Sequence, residues 1–264
     1  MTFKLAAAEG TLPGDTLIEK FDFVRSIGFD GIELSGRGDG VFAARAAELR
    51  AARDAGVVMP TAVVHMDHFI GDFDRDRRRD AIEQVKLLLT TIVEAGGFGV
   101  VSPHAFGLFS RNLPPFTPPR SDGESRALLV AALTELGAHA TQVGALLVLE
   151  PLNRYEDFMI NTLADAVSIV EEVDSPGVAV IADTFHMSVE ESDIGGAIRK
   201  AGSHIKHVQL GDSNRLEPGA GHYDWPDTLD ALEDIGYQGW LAMECGISRP
   251  IETVLPQVAA LLKR

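Results

Sequence analysis

The chain has 264 residues, and 45% of them are hydrophobic, which is typical of a globular protein with a sizeable core rather than of a disordered one. It carries 39 acidic against 23 basic residues, a formal net charge of -16, and this excess argues against nucleic acid or an anionic membrane as the main partner. The single cysteine, Cys245, excludes an intrachain disulfide and a thiolate metal site, and no apolar stretch approaches the roughly 20 residues of a membrane helix. We therefore expect a cytoplasmic protein that binds neither nucleic acid nor membranes.

Short apolar runs alternate with longer amphipathic stretches along the whole chain. The runs predict eight strands, over Phe3–Ala8, Gly31–Leu34, Val57–His65, Gly99–Pro103, Ala145–Glu150, Val178–Asp183, Ile205–Leu210 and Trp240–Cys245. The stretches between them predict eight helices, over Thr16–Ile27, Val41–Ala55, Arg75–Ala95, Glu124–Val143, Leu163–Val173, Ile194–Ala201, Trp225–Ile235 and Ile251–Leu262. Eight strand–helix units in a chain of this length favour an α/β fold with a single domain over residues 1–264, a closed (β/α)₈ TIM barrel.

One segment, Leu113–Asp122, has the proline-rich composition of a stiff loop. It follows the fourth predicted strand, on the face where barrel enzymes carry their active-site loops. Two interpretations remain open: a plain surface loop, or a loop from which Phe109 and Phe116 wall off a polar pocket.

Oxygen-bearing side chains end four consecutive predicted strands. Glu150, Asp183 and Glu244 end the fifth, sixth and eighth, and Gln209 lies beside the end of the seventh. Apolar residues precede each carboxylate at two-residue steps, which predicts that all three point into the barrel mouth. Each could singly be the N-cap of the next helix, but clustered carboxylates repel one another and favour a bound divalent cation. The oxygen-only ligand set favours Mg²⁺ or Mn²⁺, with Co²⁺ as a further option.

Histidines follow the third and fourth predicted strands. His65 and His104 are therefore candidates for substrate contacts, and the alternative for each is a satisfied core or rim residue. His207 lies two residues before Gln209 and one layer deeper, so we expect it to pack or to support a ligand rather than to bind the metal.

Four ordered motifs resemble the xylose isomerase-like sugar isomerase/epimerase family, and within it the ketose 3-epimerases of the D-tagatose and D-psicose type. They are Glu150–Glu156 (EPLNRYE), Asp183–Met187 (DTFHM), Ser213–Leu216 (SNRL) followed by Pro218 and Gly219, and Met243–Glu244. The resemblance covers the strand–helix rhythm of the whole chain, with motifs from about Leu149 onward. It implies a small-molecule sugar substrate, one divalent metal ion and a homodimer or homotetramer.

The resemblance also implies roles for individual residues. Glu150, Asp183 and Glu244 would bind the metal, and Glu150 and Glu244 would double as the acid/base pair. Substrate hydrogen bonds would come from three further residues, Glu156, His186 and Arg215.

One position departs from the ketose 3-epimerase pattern. Those enzymes carry His-x-His on the seventh strand, with the second histidine as a metal ligand, whereas this chain has His207-Val208-Gln209. Glutamine there is what hydroxypyruvate isomerases use. Ketose epimerisation and a hydroxypyruvate-type isomerisation both remain open.

The predicted chemistry is proton transfer next to a carbonyl group. A cation that chelates the carbonyl and a neighbouring hydroxyl acidifies the adjacent C–H and stabilises the cis-enediolate that forms. Glu150 and Glu244 could flank the substrate, one taking a proton and the other returning one. We therefore expect an isomerase, namely a metal-dependent sugar epimerase or isomerase acting on a ketose or a related hydroxy-carbonyl compound. A polyol or keto-sugar dehydratase or lyase stays open, and an abasic-site endonuclease and a non-catalytic binding subunit are less favoured.

Overall fold

Eight parallel strands pair in chain order and close on themselves, with the eighth paired to the first. The computed structural model describes residues 3–107 and 118–263. The strands are β1 (Lys4–Ala8), β2 (Gly31–Arg37), β3 (Thr61–His65), β4 (Gly99–Pro103), β5 (Leu146–Glu150), β6 (Val178–Asp183), β7 (Ile205–Leu210) and β8 (Trp240–Met243). Strand and helix alternate around the ring, so the predicted fold, a single-domain (β/α)₈ TIM barrel, is confirmed.

The helices of the described ranges surround this barrel, and they bury the apolar outer face of the sheet. They are α1 (Leu17–Ser26), α2 (Val41–Ala44), α3 (Ala46–Asp54), α4 (Arg75–Glu94), α5 (Asp122–Val143), α6 (Leu163–Val173), α7 (Thr184–Glu190), α8 (Ile194–Ala201), α9 (Trp225–Asp234) and α10 (Ile251–Leu262). Phe109, Phe116 and residues 113–117 of the proline-rich segment lie outside the described residues. No described helix combines the length and the apolar character needed to cross a membrane.

Several predicted elements have different bounds in the structure, and two of these differences have a clear physical cause. The third strand begins at Thr61 rather than Val57, because Pro60 has no N–H to donate to a strand ladder. The helix predicted over Val41–Ala55 is divided at Arg45, whose guanidinium binds the carboxylate of Glu9, with Nη2 2.6 Å from Oε1. This contact joins residues 36 positions apart, so local periodicity does not report it.

One helix, α7, is absent from the sequence-based prediction. It is a short helix that begins directly after β6, and Asp183 is its N-cap. The helix matters for function, because it brings His186 back over the end of the strand that carries Asp183.

The interior of the barrel contains both apolar and polar side chains. Val63, Val101, Val148 and Ile181 of β3 to β6 form one apolar layer, directly below the strand ends. Buried polar side chains of β2, of β7 and of the first residue of β3 also lie in the interior, namely Glu33, His207, Gln209 and Thr61. A closed barrel admits such groups only where they bind one another or a ligand.

Candidate active site

The carboxyl ends of β5 and β6 bring Glu150 and Asp183 next to His186. One potential ligand atom from each lies within 4.8 Å of the others, and all three residues are buried. Asp183 is also the N-cap of α7, because its Oδ1 accepts the backbone N–H of His186 at 3.0 Å. The N-cap role and the metal-ligand role considered for Asp183 are therefore compatible, because the helix cap uses only one of its two carboxylate oxygens.

His186 presents a proton rather than a lone pair to this cluster. The backbone N–H of Asn153 donates to Nδ1 of His186 at 3.0 Å, so Nδ1 is the acceptor nitrogen of the ring. Burial lowers the pKa of His186, which favours the neutral ring, and its proton then lies on Nε2. Nε2 is buried without a hydrogen-bond partner in the described structure, 3.7 Å from Oε1 of Glu150. His186 is thus arranged to donate a hydrogen bond from Nε2 rather than to offer a lone pair to a metal.

The carboxyl groups of Glu150 and Glu244 have strongly raised pKa values. Burial raises the pKa of Glu150 well above its ordinary value, and the charges of Glu244 and Asp183 raise it further. Glu244 follows β8, and burial together with Asp183 and Glu33 raises its pKa in the same way. Such a cluster is tolerated if it holds protons or a cation.

Gln209 supplies an observation that fits a cation. It lies level with Asp183, its register partner on the neighbouring strand, and is fully buried. Its Oε1 has no hydrogen-bond partner among the described residues. Like the carboxylate of Asp183 on the neighbouring strand, this amide oxygen is a hard donor of the type that Mg²⁺ and Mn²⁺ prefer.

Sequence reasoning missed Glu33, which lies on β2 inside the barrel. Its carboxylate is within hydrogen-bond distance of Thr61 Oγ1 (2.7 Å), His207 Nε2 (2.7 Å) and Gln209 Nε2 (3.0 Å). The expectation that His207 supports rather than binds a metal agrees with this contact. The sequence signal that could have identified Glu33 is a charged residue between Ile32 and Leu34 in a buried parallel strand.

A cavity of about 790 Å³ opens above this cluster. Its wall includes Glu150 and Glu244, and it extends across the barrel mouth to Arg37 and His65, the last residues of β2 and β3. The remaining predicted substrate-binding residues that line it are Glu156, His186 and Arg215. A cavity of this size is in the range that holds small organic ligands.

Arg215 and Glu156 form an ion pair at the rim of this cavity, with Arg215 Nη1 3.1 Å from Oε1 of Glu156. The guanidinium also lies 4.6 Å from the ring centroid of Phe185. The backbone of Arg215 has a φ of 58°, a left-handed conformation that costs on the order of 1 kcal/mol for a residue with a side chain. The Arg215 guanidinium lies at the rim of the cavity, where it can donate hydrogen bonds to an oxygen of a ligand.

Asp212 holds the loop that carries Arg215. Its buried carboxylate accepts four N–H groups, from Ser213 (2.7 Å), Gly219 (2.8 Å), Tyr223 (3.1 Å) and the indole of Trp225 (2.9 Å). An N–H can only donate, so both oxygens of Asp212 must be acceptors. The sequence pattern did not identify this residue.

Asp212→Asn therefore has a predictable effect. The new amide turns one acceptor into a donor that faces N–H groups, so we expect the free energy of unfolding to fall by about 1–3 kcal/mol. Loss of the loop geometry should raise KM more than it lowers kcat, because Arg215 is predicted to bind substrate and transition state alike. Urea unfolding and steady-state kinetics measure both, with the exposed Asp15→Asn as the control. An unchanged free energy of unfolding would contradict the assignment.

The two histidines predicted after β3 and β4 lie in different surroundings. His65 lines the cavity, with Nδ1 2.9 Å from the hydroxyl of Ser35. His104 is fully buried, its Nδ1 binds Asp157 at 3.1 Å, and Gly71 packs against its ring. It is not among the described residues that line the cavity. The structure thus brings His65, but not His104, to the site.

Comparison with known proteins places this geometry in a family. The profile described as xylose isomerase-like TIM barrel matches residues 21–264. The chain is 36% identical over 231 residues to 3-dehydro-D-guloside 4-epimerase of Escherichia coli strain K12, a match that covers 87% of each protein. It is 42% identical to D-psicose 3-epimerase of Enterocloster bolteae over 138 residues, 52% of this chain and 46% of that protein.

Solved structures agree with these matches. The apo crystal structure of an E. coli 3-keto-D-glucoside 4-epimerase superimposes with a TM-score of 0.91, 34% identity and 98% coverage of both chains. A D-psicose 3-epimerase from Clostridium cellulolyticum H10 with D-tagatose gives a TM-score of 0.83 and 26% identity, covering 98% of this chain and 97% of that one. These relatives are epimerases, which are isomerases, so the predicted enzyme class is confirmed. The chain belongs to the xylose isomerase-like TIM barrel family, among its sugar epimerases and isomerases.

Proposed function

We propose that the protein is a divalent-metal-dependent epimerase of keto-sugars, which inverts a carbon next to a carbonyl group. The observation that carries this proposal is the position of Glu150 and Glu244 at the wall of a cavity large enough for a sugar, where desolvation and the charge of nearby Asp183 raise the pKa values of both carboxyl groups. Two carboxyl groups with raised pKa values, on strands three apart in the ring, are suited to act as acid and base near neutral pH.

Different residues of the chain carry out proton transfer and substrate binding. One of Glu150 and Glu244 removes the proton from the carbon next to the carbonyl, and the other delivers a proton to the opposite face of the same carbon. His186 donates its Nε2 proton to a substrate oxygen, since Asn153 holds the ring in that tautomer. Arg215, paired with Glu156, binds a hydroxyl group at the rim.

A divalent cation, Mn²⁺ or Mg²⁺, held by Glu150, Asp183, Gln209 and Glu244, would polarise the carbonyl and stabilise the negative charge of the enediolate. The unpartnered carbonyl oxygen of Gln209 and the raised pKa values of the two glutamates support this ligand set.

Two substrate classes fit this chemistry. We infer that the first candidate substrate is a 3-keto-glycoside, which would be inverted at carbon 4. The E. coli relative named for that reaction matches over most of both proteins, whereas the D-psicose 3-epimerase match spans about half of this chain. Gln209 departs from the His-x-His pattern of the ketose 3-epimerases. The cavity extends past the acids to Arg37 and His65, which leaves room for the group attached to the sugar. A free ketose, inverted at carbon 3, is the second candidate.

Proton exchange distinguishes the candidates. Protein loaded with Mn²⁺ is incubated in D₂O with methyl 3-keto-glucoside, D-psicose or hydroxypyruvate, and proton NMR follows the signals next to the carbonyl against an enzyme-free control. We expect exchange at carbon 4 of the keto-glycoside, with appearance of its epimer, at least tenfold faster than any exchange of D-psicose. Faster exchange of D-psicose would favour the second candidate. Absence of catalysed exchange in all three would contradict the proposed function.

A further inference from the structure

The buried carboxylate of Glu33 joins three strands below the proposed metal site. It is 2% exposed, and its contacts come from Thr61 on β3 and from His207 and Gln209 on β7. Both of its oxygens are occupied, because Thr61 and His207 share Oε1 and Gln209 binds Oε2. A carboxylate oxygen only accepts, so each of these partners donates.

This contact fixes the orientation of the Gln209 amide. A glutamine side chain has a donor end and an acceptor end, and a half-turn about its last bond exchanges them. Glu33 binds the donor end, with Nε2 3.0 Å from Oε2, so the carbonyl oxygen is directed away from Glu33. That oxygen is buried and without a partner among the described residues, which is unfavourable unless a ligand binds it.

We propose that Glu33 is a positioning residue that makes Gln209 a metal ligand, by holding its NH₂ group so that only the carbonyl oxygen can face the cation. This inference rests on the proposed metal site. A histidine at this position would offer a nitrogen lone pair, but an amide ligates only through its oxygen. Glutamine therefore needs a buried acceptor on its other side, and Glu33 provides one from a strand 176 residues away in sequence.

Glu33→Gln tests the proposal with almost no change in shape. The carboxamide keeps one oxygen for Thr61 and His207 but turns an NH₂ group toward Gln209, which favours the flipped amide with its own NH₂ group toward the metal. We expect the Kd for Mn²⁺, measured by isothermal titration calorimetry on metal-free protein, to rise about 10–100-fold. Thr61→Val is the matched control, since it removes another donor to Glu33 without changing Gln209, and should alter the Kd less than about threefold.

A double-mutant cycle shows whether Glu33 acts through Gln209. In a Gln209→Ala background, Glu33→Gln should cause no further loss of Mn²⁺ affinity, because there is no amide to orient. If Glu33→Gln is misfolded by circular dichroism, Glu33→Asp replaces it, since the shorter side chain withdraws the acceptor from Gln209 and should also weaken Mn²⁺ binding.

Three results would overturn the inference. If Glu33→Gln, or Glu33→Asp where that variant replaces it, binds Mn²⁺ with wild-type affinity, then Glu33 does not position Gln209. This result would leave the proposed metal site itself unaffected. An equal loss in the Gln209→Ala background would show that Glu33 acts by another route. Absence of Mn²⁺ binding to the wild-type protein would instead remove the metal site, and with it the proposed function.

Discussion

Glu244→Gln is expected to lower the rate of epimerisation by about 10²–10⁴-fold at saturating Mn²⁺, because it removes one partner of the acid/base pair. The remaining carboxylate, Glu150, can still remove a proton from the epimer that faces it. That epimer should therefore exchange its proton with D₂O without inversion, whereas the other epimer should not exchange. Proton NMR in D₂O, started separately from each epimer, measures both quantities.

Glu150→Gln should show the mirror-image result, with exchange retained only from the opposite epimer. Glu191→Gln is the matched control, because burial also raises the pKa of Glu191 but this residue is not among the described residues that line the cavity. Its activity should stay within about twofold of the wild type. Equal residual exchange of both epimers in Glu244→Gln would contradict a mechanism with two bases.

The metal-free protein is expected to lose stability as the pH rises from 5 to 8. Burial and neighbouring charges raise the pKa values of Glu150 and Glu244 in the folded state, while in the unfolded state both groups have pKa values of about 4.3. Between the unfolded and the folded pKa the folded state binds more protons, so its stability falls as they are lost. Saturating Mn²⁺ should cancel this loss and stabilise the protein further, since the cation binds the folded state.

Comparison of the wild type with the double variant Glu150→Gln/Glu244→Gln separates the titration of these two carboxyl groups from all other titrations. The double variant carries no charge at these two positions, so the metal-free variant should exceed the metal-free wild type in free energy of unfolding at pH 8. The difference should shrink as the pH falls, because the raised pKa values let the two glutamates regain protons in the folded wild type. Urea unfolding at each pH provides the measurement. A difference that is independent of pH would show that the two carboxyl groups do not titrate differently on folding.

Local sequence was sufficient for the framework of the site. The alternation of apolar and polar residues placed Glu150 and Asp183 at strand ends with inward side chains, and parallel strands bring such ends to one face of a barrel. The eight-fold repetition of strand and helix determined the fold class. The strand predicted from Val57 failed only where Pro60 removes a backbone donor.

Tertiary structure decided which atom each side chain presents. Asn153 sets the tautomer of His186, Asp157 turns His104 into the core, and Glu33 orients the amide of Gln209. These pairs are separated by 33, 53 and 176 residues, so no local pattern contains them. The sequence by itself determined the barrel and the carboxylates at its mouth, because strand periodicity is local. Only the closed barrel decided donor and acceptor roles, because a hydrogen bond depends on the partner across the interior.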